Sequence, residues 1–223
     1  MTILQERDRW ALRQRLTGLP NAVKLVVFTT NLQSETSELV LQLIQELVSL
    51  GDGKLMLEQH VLEAEPTVAE EYGITHAPAI VVRTVEKDYG IRYLGVPAGF
   101  EFASLVGAIE DVGKGDSALS PDSRLALATL RTPVHIRVFV TYRCPYCPAA
   151  VRMAHKLAMA SDLITAEGVS SEDFPELANQ YGVMAVPKTV VNERHSFEGA
   201  LSEPAFVQQV LRGASSSGLI IVP

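Results

Sequence analysis

The sequence is short of sulfur, of aromatic residues and of positive charge. Its 223 residues include two cysteines, one tryptophan and 6% aromatic side chains; 19 Lys and Arg face 26 Asp and Glu, for a formal net charge of −7. Two cysteines cannot staple a small secreted scaffold, which needs several bridges spread along the chain. An acidic chain with no Lys/Arg stretch lacks the basic face that displaces counterions from phosphates, so nucleic acid is not an expected partner. No apolar run approaches the roughly 18 residues that span a bilayer, and the first seven residues have neither a basic head nor an apolar signal core. No membrane contact is therefore expected, and the cytoplasm is the expected compartment. Gly-x-Gly-x-x-Gly is missing as well, so no tightly bound flavin or nicotinamide nucleotide, and no other cofactor, is expected.

What remains is an ordinary globular composition, 47% hydrophobic and 20% charged, with 15 Gly and 12 Pro. The length fits one large domain or two small ones. Self-comparison favours two. With an offset of 109 residues, Ala69-Glu70-Glu71-Tyr72-Gly73-Ile74-Thr75-His76-Ala77-Pro78-Ala79-Ile80-Val81-Val82 lies over Ala178-Asn179-Gln180-Tyr181-Gly182-Val183-Met184-Ala185-Val186-Pro187-Lys188-Thr189-Val190-Val191, and six of fourteen positions are identical. A period near 110 is too long for a solenoid repeat and reads as two copies of a small domain. The polar, Gly-rich Gly113-Lys114-Gly115-Asp116-Ser117 is the expected seam.

Both copies run through the same elements. A helix is expected at about 3–18 and 120–131, the second opened by Ser120 with Pro121 behind it. A β-rich run (23–30, 134–141), a long amphipathic helix (34–50, 145–160) and a second strand (54–61, 162–168) follow. A short helix then ends at Tyr72-Gly73 and Tyr181-Gly182, where Gly suits a left-handed cap. The Ala77-Pro78 and Val186-Pro187 steps introduce a third strand; a fourth strand (90–94, 194–197) and a last helix (99–112, 203–213) complete each copy. The expected class is α/β: two tandem units, residues 1–116 and 117–223, each a mixed sheet flanked by helices. The apolar tail Leu219-Ile220-Ile221-Val222-Pro223 reads as a docked extra strand.

The two cysteines form Cys144-Pro145-Tyr146-Cys147, where a strand hands over to a helix. Pro145 fits the first helical position, which makes Cys144 the expected N-cap. There a thiolate faces free backbone N–H groups and the positive end of the helix dipole, with Arg143 adding charge, so its pKa should fall below the free value of about 8.5. Cys144 is the expected nucleophile. Cys147, one turn on, can close a disulfide on it and expel a mixed-disulfide partner. Other readings stay open: a metal ion completed by the scattered His60, His76, His135, His155 or His195, a cluster shared by two chains, or a scaffold with inert thiols. No metal site is assigned.

The strand, Cys-Pro-Tyr-Cys, helix arrangement resembles the thioredoxin superfamily, and within it the tandem protein disulfide oxidoreductases, or glutaredoxin-like proteins, with two thioredoxin-like units in one chain. Val186-Pro187 stands in the place of that family's cis-proline, and Gly95-Val96-Pro97-Ala98-Gly99-Phe100-Glu101-Phe102 is similar to a motif of its first unit. The N-terminal domain of the alkyl hydroperoxide reductase flavoprotein has a similar layout, with a silent first unit and an active second one. The resemblance implies a thiol–disulfide oxidoreductase acting on protein disulfides. Substrate backbone would lie along Val186 and Pro187, beside Pro145 and Tyr146, and electrons would come from a separate thiol or flavoprotein reductase. An electron shuttle to a peroxiredoxin is the implied alternative.

The departures from the family are informative. Thr30-Asn31-Leu32-Gln33-Ser34-Glu35 stands where the first unit would hold a CxxC, so that unit is expected to be redox-silent, either an interaction surface or a structural cover. Residues 1–118 hold 10 basic and 17 acidic side chains against nine of each in 119–223, so the excess negative charge lies in the silent half. Thioredoxins keep a buried acid six residues before the first Cys; here that position is Val138. Glu101, reaching across from the first unit, is the candidate replacement, taking the proton of Cys147. Ala185-Val186-Pro187 and Glu198-Gly199-Ala200-Leu201-Ser202-Glu203 match only in part the stretches that bind glutathione in glutaredoxins, and the two Glu oppose its carboxylates. Protein dithiol exchange is therefore preferred to glutathione chemistry.

Overall fold

The repeat is visible in the order of elements. In the computed structural model, which describes residues 3–31 and 34–215, the first half runs α1 (Glu6–Leu16), β1 (Val23–Thr29), α2 (Glu35–Leu50), β2 (Leu55–Val61), α3 (Pro66–Glu71), β3 (Ala79–Thr84), β4 (Asp88–Leu94) and, after a 3-10 turn (Gly99–Glu101), α4 (Phe102–Lys114). The second half runs α5 (Pro121–Leu127), β5 (Val134–Val140), α6 (Cys147–Ala160), β6 (Ile164–Ser170), α7 (Pro175–Gln180), β7 (Lys188–Val191), β8 (His195–Glu198) and α8 (Glu203–Ser215). Each expected element within the described residues is present. The apolar tail, Leu32 and Gln33 lie outside them.

Local chemistry explains the boundaries. Ser34 and Ser120 cap α2 and α5, each hydroxyl oxygen accepting from the backbone N–H three residues on (3.3 and 3.2 Å). Pro121 sits in the first turn of α5, where no N–H is needed. That helix stops four residues earlier than its apolar pattern implies, closing in a turn over residues 128–130. Along α2, Val40, Leu43, Ile44, Leu47 and Leu50 recur at helical spacing and are buried. Each such side chain contributes roughly 1.5–3 kcal/mol by leaving water.

The two expected sheets are one. Strand order is β2-β1-β3-β4-β6-β5-β7-β8, and the halves join where β4 and β6 pair in parallel, from Ile91↔Ala166 to Leu94↔Val169. Because β5 is also parallel to β6, the C-terminal ends of β4, β5 and β6 emerge side by side. Helix α6 covers this seam. His155 on α6 is fully buried, and its Nε2 lies 3.0 Å from the Arg92 carbonyl of β4. A carbonyl only accepts, so Nε2 carries the proton; burial lowers the imidazole pKa to about 4 and keeps it neutral. Arg152, also on α6, pairs with Asp111 of α4 at 2.6 Å.

Gly168 sits inside β6, a position where Gly signals close approach. Its register partner in β4 is Tyr93, whose fully buried ring occupies the space a side chain would need. A methyl group at 168 would come within 2.8–3.1 Å of that ring and of Val151. Gly168→Ala should therefore cost about 1–3 kcal/mol of stability, the usual scale of overpacking, with an unchanged urea m-value. A variant as stable as the parent would mean that the ring is not lodged there.

Candidate active site

Strand β5 ends at Val140, and the chain turns so that the Cys144 N–H donates to the Thr141 carbonyl (3.2 Å). The expected N-cap geometry is corrected here. Pro145 and Tyr146 form a turn of their own, and α6 begins only at Cys147, with Pro148 taking the proline place in its first turn. The sulfur keeps the electronic role of a cap all the same, since the Cys147 N–H donates to Cys144 Sγ at 3.1 Å. A backbone donor aimed at sulfur at a helix start favours the thiolate over the thiol.

Cys144 and Cys147 are joined in a disulfide, with Cα atoms 5.4 Å apart. Their accessibility differs in a way that bears on chemistry: Cys144 is 8% exposed and Cys147 not at all. The Val186–Pro187 bond is cis, and the Val186 carbonyl oxygen lies 3.8 Å from Cys144 Sγ. In the disulfide that sulfur has no proton to give; in the dithiol the same carbonyl is an acceptor within reach of the thiol. Pro145 and Tyr146 stand exposed on the loop, and Met184, 93% exposed, stands ahead of the cis bond. In the first half Ala77–Pro78 is also cis, but neither cysteine of the chain is in that half.

Glu101 ends the Gly99–Glu101 turn, which packs against α6, and it is fully buried. Ser104 Oγ donates to its Oε2 (2.8 Å), while Oε1 has no protein partner. Burial raises its pKa from the usual carboxylate range to about 7, against the opposing Ser104 hydrogen bond. Val138 is fully buried in the apolar cluster that includes Cys147, so no acid stands there. Beside it, across β6, lies Tyr93, whose hydroxyl is also without a partner and whose pKa is raised by burial first and then by the charge of Glu101. Two polar groups thus enter this apolar wall from the first half.

Sequence reasoning missed Tyr93, and it missed Tyr142 and Asp173, which tie the loops together around the disulfide. For Tyr93 the strand Gly168 was an available signal. For the other two no local pattern exists, since Tyr142 Oη donates to Asp173 Oδ1 (2.5 Å) across 31 residues. Among the described residues no group of three or more His, Cys, Asp or Glu is placed to hold a metal ion.

Residues 134–212 match the thioredoxin domain family. A thioredoxin of Methanocaldococcus jannaschii is 36% identical over 78 residues, 34% of this chain and 92% of that protein. The protein disulfide oxidoreductase of Aeropyrum pernix superposes with a TM-score of 0.85 at 30% identity, covering 98% of this chain and 96% of that one. The N-terminal domain of the alkyl hydroperoxide reductase AhpF of Enterococcus faecalis gives 0.86 at 27% identity, over 93% and 99%. The curated relatives that align along most of this chain are longer, and it spans 28–39% of their length. With 30% identity to the Aeropyrum pernix oxidoreductase over nearly the whole of both chains, a repeated order of elements and a single Cys-Pro-Tyr-Cys pair, the chain belongs to the thioredoxin superfamily, among its tandem protein disulfide oxidoreductases.

Proposed function

We propose that this chain exchanges disulfides with protein partners through Cys144 and Cys147, in a redox-active unit of residues 117–223 backed by a redox-silent unit of residues 1–116. The observation that supports this best is the asymmetry of the pair, Cys144 retaining a little exposure with a backbone donor on its sulfur and Cys147 sealed in the core. In the reducing direction the Cys144 thiolate attacks a partner disulfide; that bond breaks, one partner sulfur leaves as thiolate, and a mixed disulfide forms. Glu101, ionised, takes the proton of Cys147. The Cys147 thiolate then attacks Cys144 Sγ, the second partner sulfur leaves, and both partner thiolates gain protons from water. Two electrons pass to the partner and the Cys144–Cys147 disulfide is left. In the oxidising direction the steps reverse, and protonated Glu101 returns the proton to Cys147.

Val186 and Pro187 would hold the partner backbone beside the attacked sulfur, with Pro145 and Tyr146 meeting its side chains. Electrons enter and leave as thiols, so a separate thiol or flavoprotein reductase supplies them. Similarity to an alkyl hydroperoxide reductase chain of Pseudomonas aeruginosa, 24% identical over 82% of this chain, favours a peroxiredoxin as one acceptor. Spending both cysteines of the chain on one exchangeable pair suits the cytoplasm.

Equilibration against graded dithiol/disulfide buffers, read by alkylation and mass, should show a two-electron transition that Cys144→Ser abolishes. A midpoint near about −270 mV would mark a reductant and one near about −120 mV an oxidant. Failure to form the intramolecular disulfide would remove the proposal in favour of a scaffold or metal-binding role.

Glu101→Gln should slow resolution of mixed disulfides by roughly 10²-fold at neutral pH, the lower range for a positioned acid or base, and flatten the rate profile between pH 6 and 8. An unchanged profile would remove Glu101 from the mechanism. Stability gives an independent reading. With the folded pKa raised to about 7, the folded chain holds a proton that the unfolded chain has lost, so stability falls as pH rises from the ordinary carboxylate range through 7. Relative to the parent, Glu101→Gln should gain roughly 3 kcal/mol between pH 4 and pH 8, at about 1.4 kcal/mol per unit of pKa shift.

A further inference from the structure

The 95–101 segment that carries Glu101 belongs to the first half, yet its backbone is held by the second. The Val96 N–H donates to Asp173 Oδ2 (2.7 Å), and the Phe100 N–H donates to the Tyr142 carbonyl (3.1 Å). The two anchors are themselves joined, since Tyr142 Oη donates to Asp173 Oδ1 (2.5 Å). Each is fixed from its own side: the Tyr142 N–H reaches the Glu172 carboxylate (3.2 Å), and the Asp173 N–H donates to Ser170 Oγ (3.2 Å). On the first-half side the Gly95 N–H donates to the carbonyl of cis-linked Pro78 (2.8 Å), and the His76 ring meets Phe174, the neighbour of Asp173, edge to face at 5.7 Å.

The residue types fit the contact. Gly95 and Gly99 have φ of +98° and +58°, a region L side chains rarely adopt. A side-chain carbon at Gly95 would collide with the Asp173 carboxylate, and one at Gly99 with the Tyr142 carbonyl. The segment is therefore shaped for close approach at both ends, and it carries Glu101 into the interior against α6.

We propose that Asp173 and Tyr142 are positioning residues: the Asp173 carboxylate, holding the Tyr142 hydroxyl and the Val96 amide together, clamps the 95–101 segment onto the loop before Cys144 and fixes Glu101 in its buried place. Neither residue touches the reacting sulfurs. Their effect passes through Glu101, and to that extent the inference rests on the proton role given to Glu101 above. The groups around Glu101 are Ser104 from α4, Tyr93 from β4 and helix α6; Tyr142, Glu172 and Asp173 form the next layer, around Tyr93. Releasing the clamp lets water reach the carboxyl, which removes the burial that holds its pKa up.

The test compares Tyr142→Phe and Asp173→Ala with the parent in two ways. The first is direct titration of Glu101 in the full chain by carboxyl-carbon NMR, with Glu101→Gln assigning the resonance. Tyr142→Phe keeps the ring and removes only the hydroxyl, so it reports even if Asp173→Ala fails to fold. Expected is a fall of the Glu101 midpoint by at least one pH unit; an unmoved midpoint in folded Tyr142→Phe overturns the proposal. The second is the rate of mixed-disulfide resolution for Tyr142→Phe, made both in the parent and in the Glu101→Gln variant. A loss of about tenfold in the parent that disappears in the Glu101→Gln background supports action through Glu101, and an equal loss in both backgrounds overturns it. A flat result for Glu101→Gln alone would instead remove the proton role itself, while the titration still reports whether the clamp positions the carboxyl.

Discussion

The parallel pairing of β4 with β6 is the constraint on which the rest of the molecule depends. It turns two four-stranded halves into one sheet and aligns the exits of β4, β5 and β6 at one end. Loops leaving neighbouring parallel strands at their C-terminal ends are where open α/β sheets gather their functional groups. Here those three exits carry the 95–101 segment, the CxxC loop and Asp173. Had β4 met β6 in the opposite sense, Glu101 and the disulfide would lie at opposite ends of the sheet. The cross-half contacts of His155 and Arg152 then serve as fastenings under α6, holding in place what strand direction has brought together.

This arrangement gives the cysteine-free half a physical reason to exist. Position 138 is Val138 in an apolar wall, and the first half contributes a buried carboxyl of its own at Glu101. A carboxyl with one oxygen unpartnered in such a place titrates near neutrality because burial outweighs its single hydrogen bond. The same burial limits the traffic of water and buffer to the carboxyl. Tyr93 laid over Gly168 shapes the space in which this happens.

Much of this is legible in the sequence. The order of elements and the Cys-Pro-Tyr-Cys pair follow from local patterns, because caps, periodicity and motif spacing act over a few residues; the repeat comes from self-comparison, and Pro187 and Glu101 are singled out through the family resemblance. The sequence pattern misplaces the start of α6, since either Pro145 or Pro148 can occupy a first-turn position and only the fold selects between them. The fusion of the sheets is not legible. A parallel pair has no connecting turn to betray it, and β4 and β6 are separated by about 70 residues. Tyr142 and Asp173 are hidden for the same reason, as each becomes meaningful only once the strand order is known.

The fused sheet has a consequence for edges. Its outer strands are β2, whose Glu58 and His60 sit among charged partners, and β8, only four residues long. Short or charged margins offer a poor template for an added strand. β6, by contrast, lies inside the sheet with its backbone groups paired on both sides. Parting the halves would turn β6 into a long unprotected margin, open to pairing with any neighbouring chain. The first half, through β4, thus also covers a strand of the second that would otherwise be open to pairing.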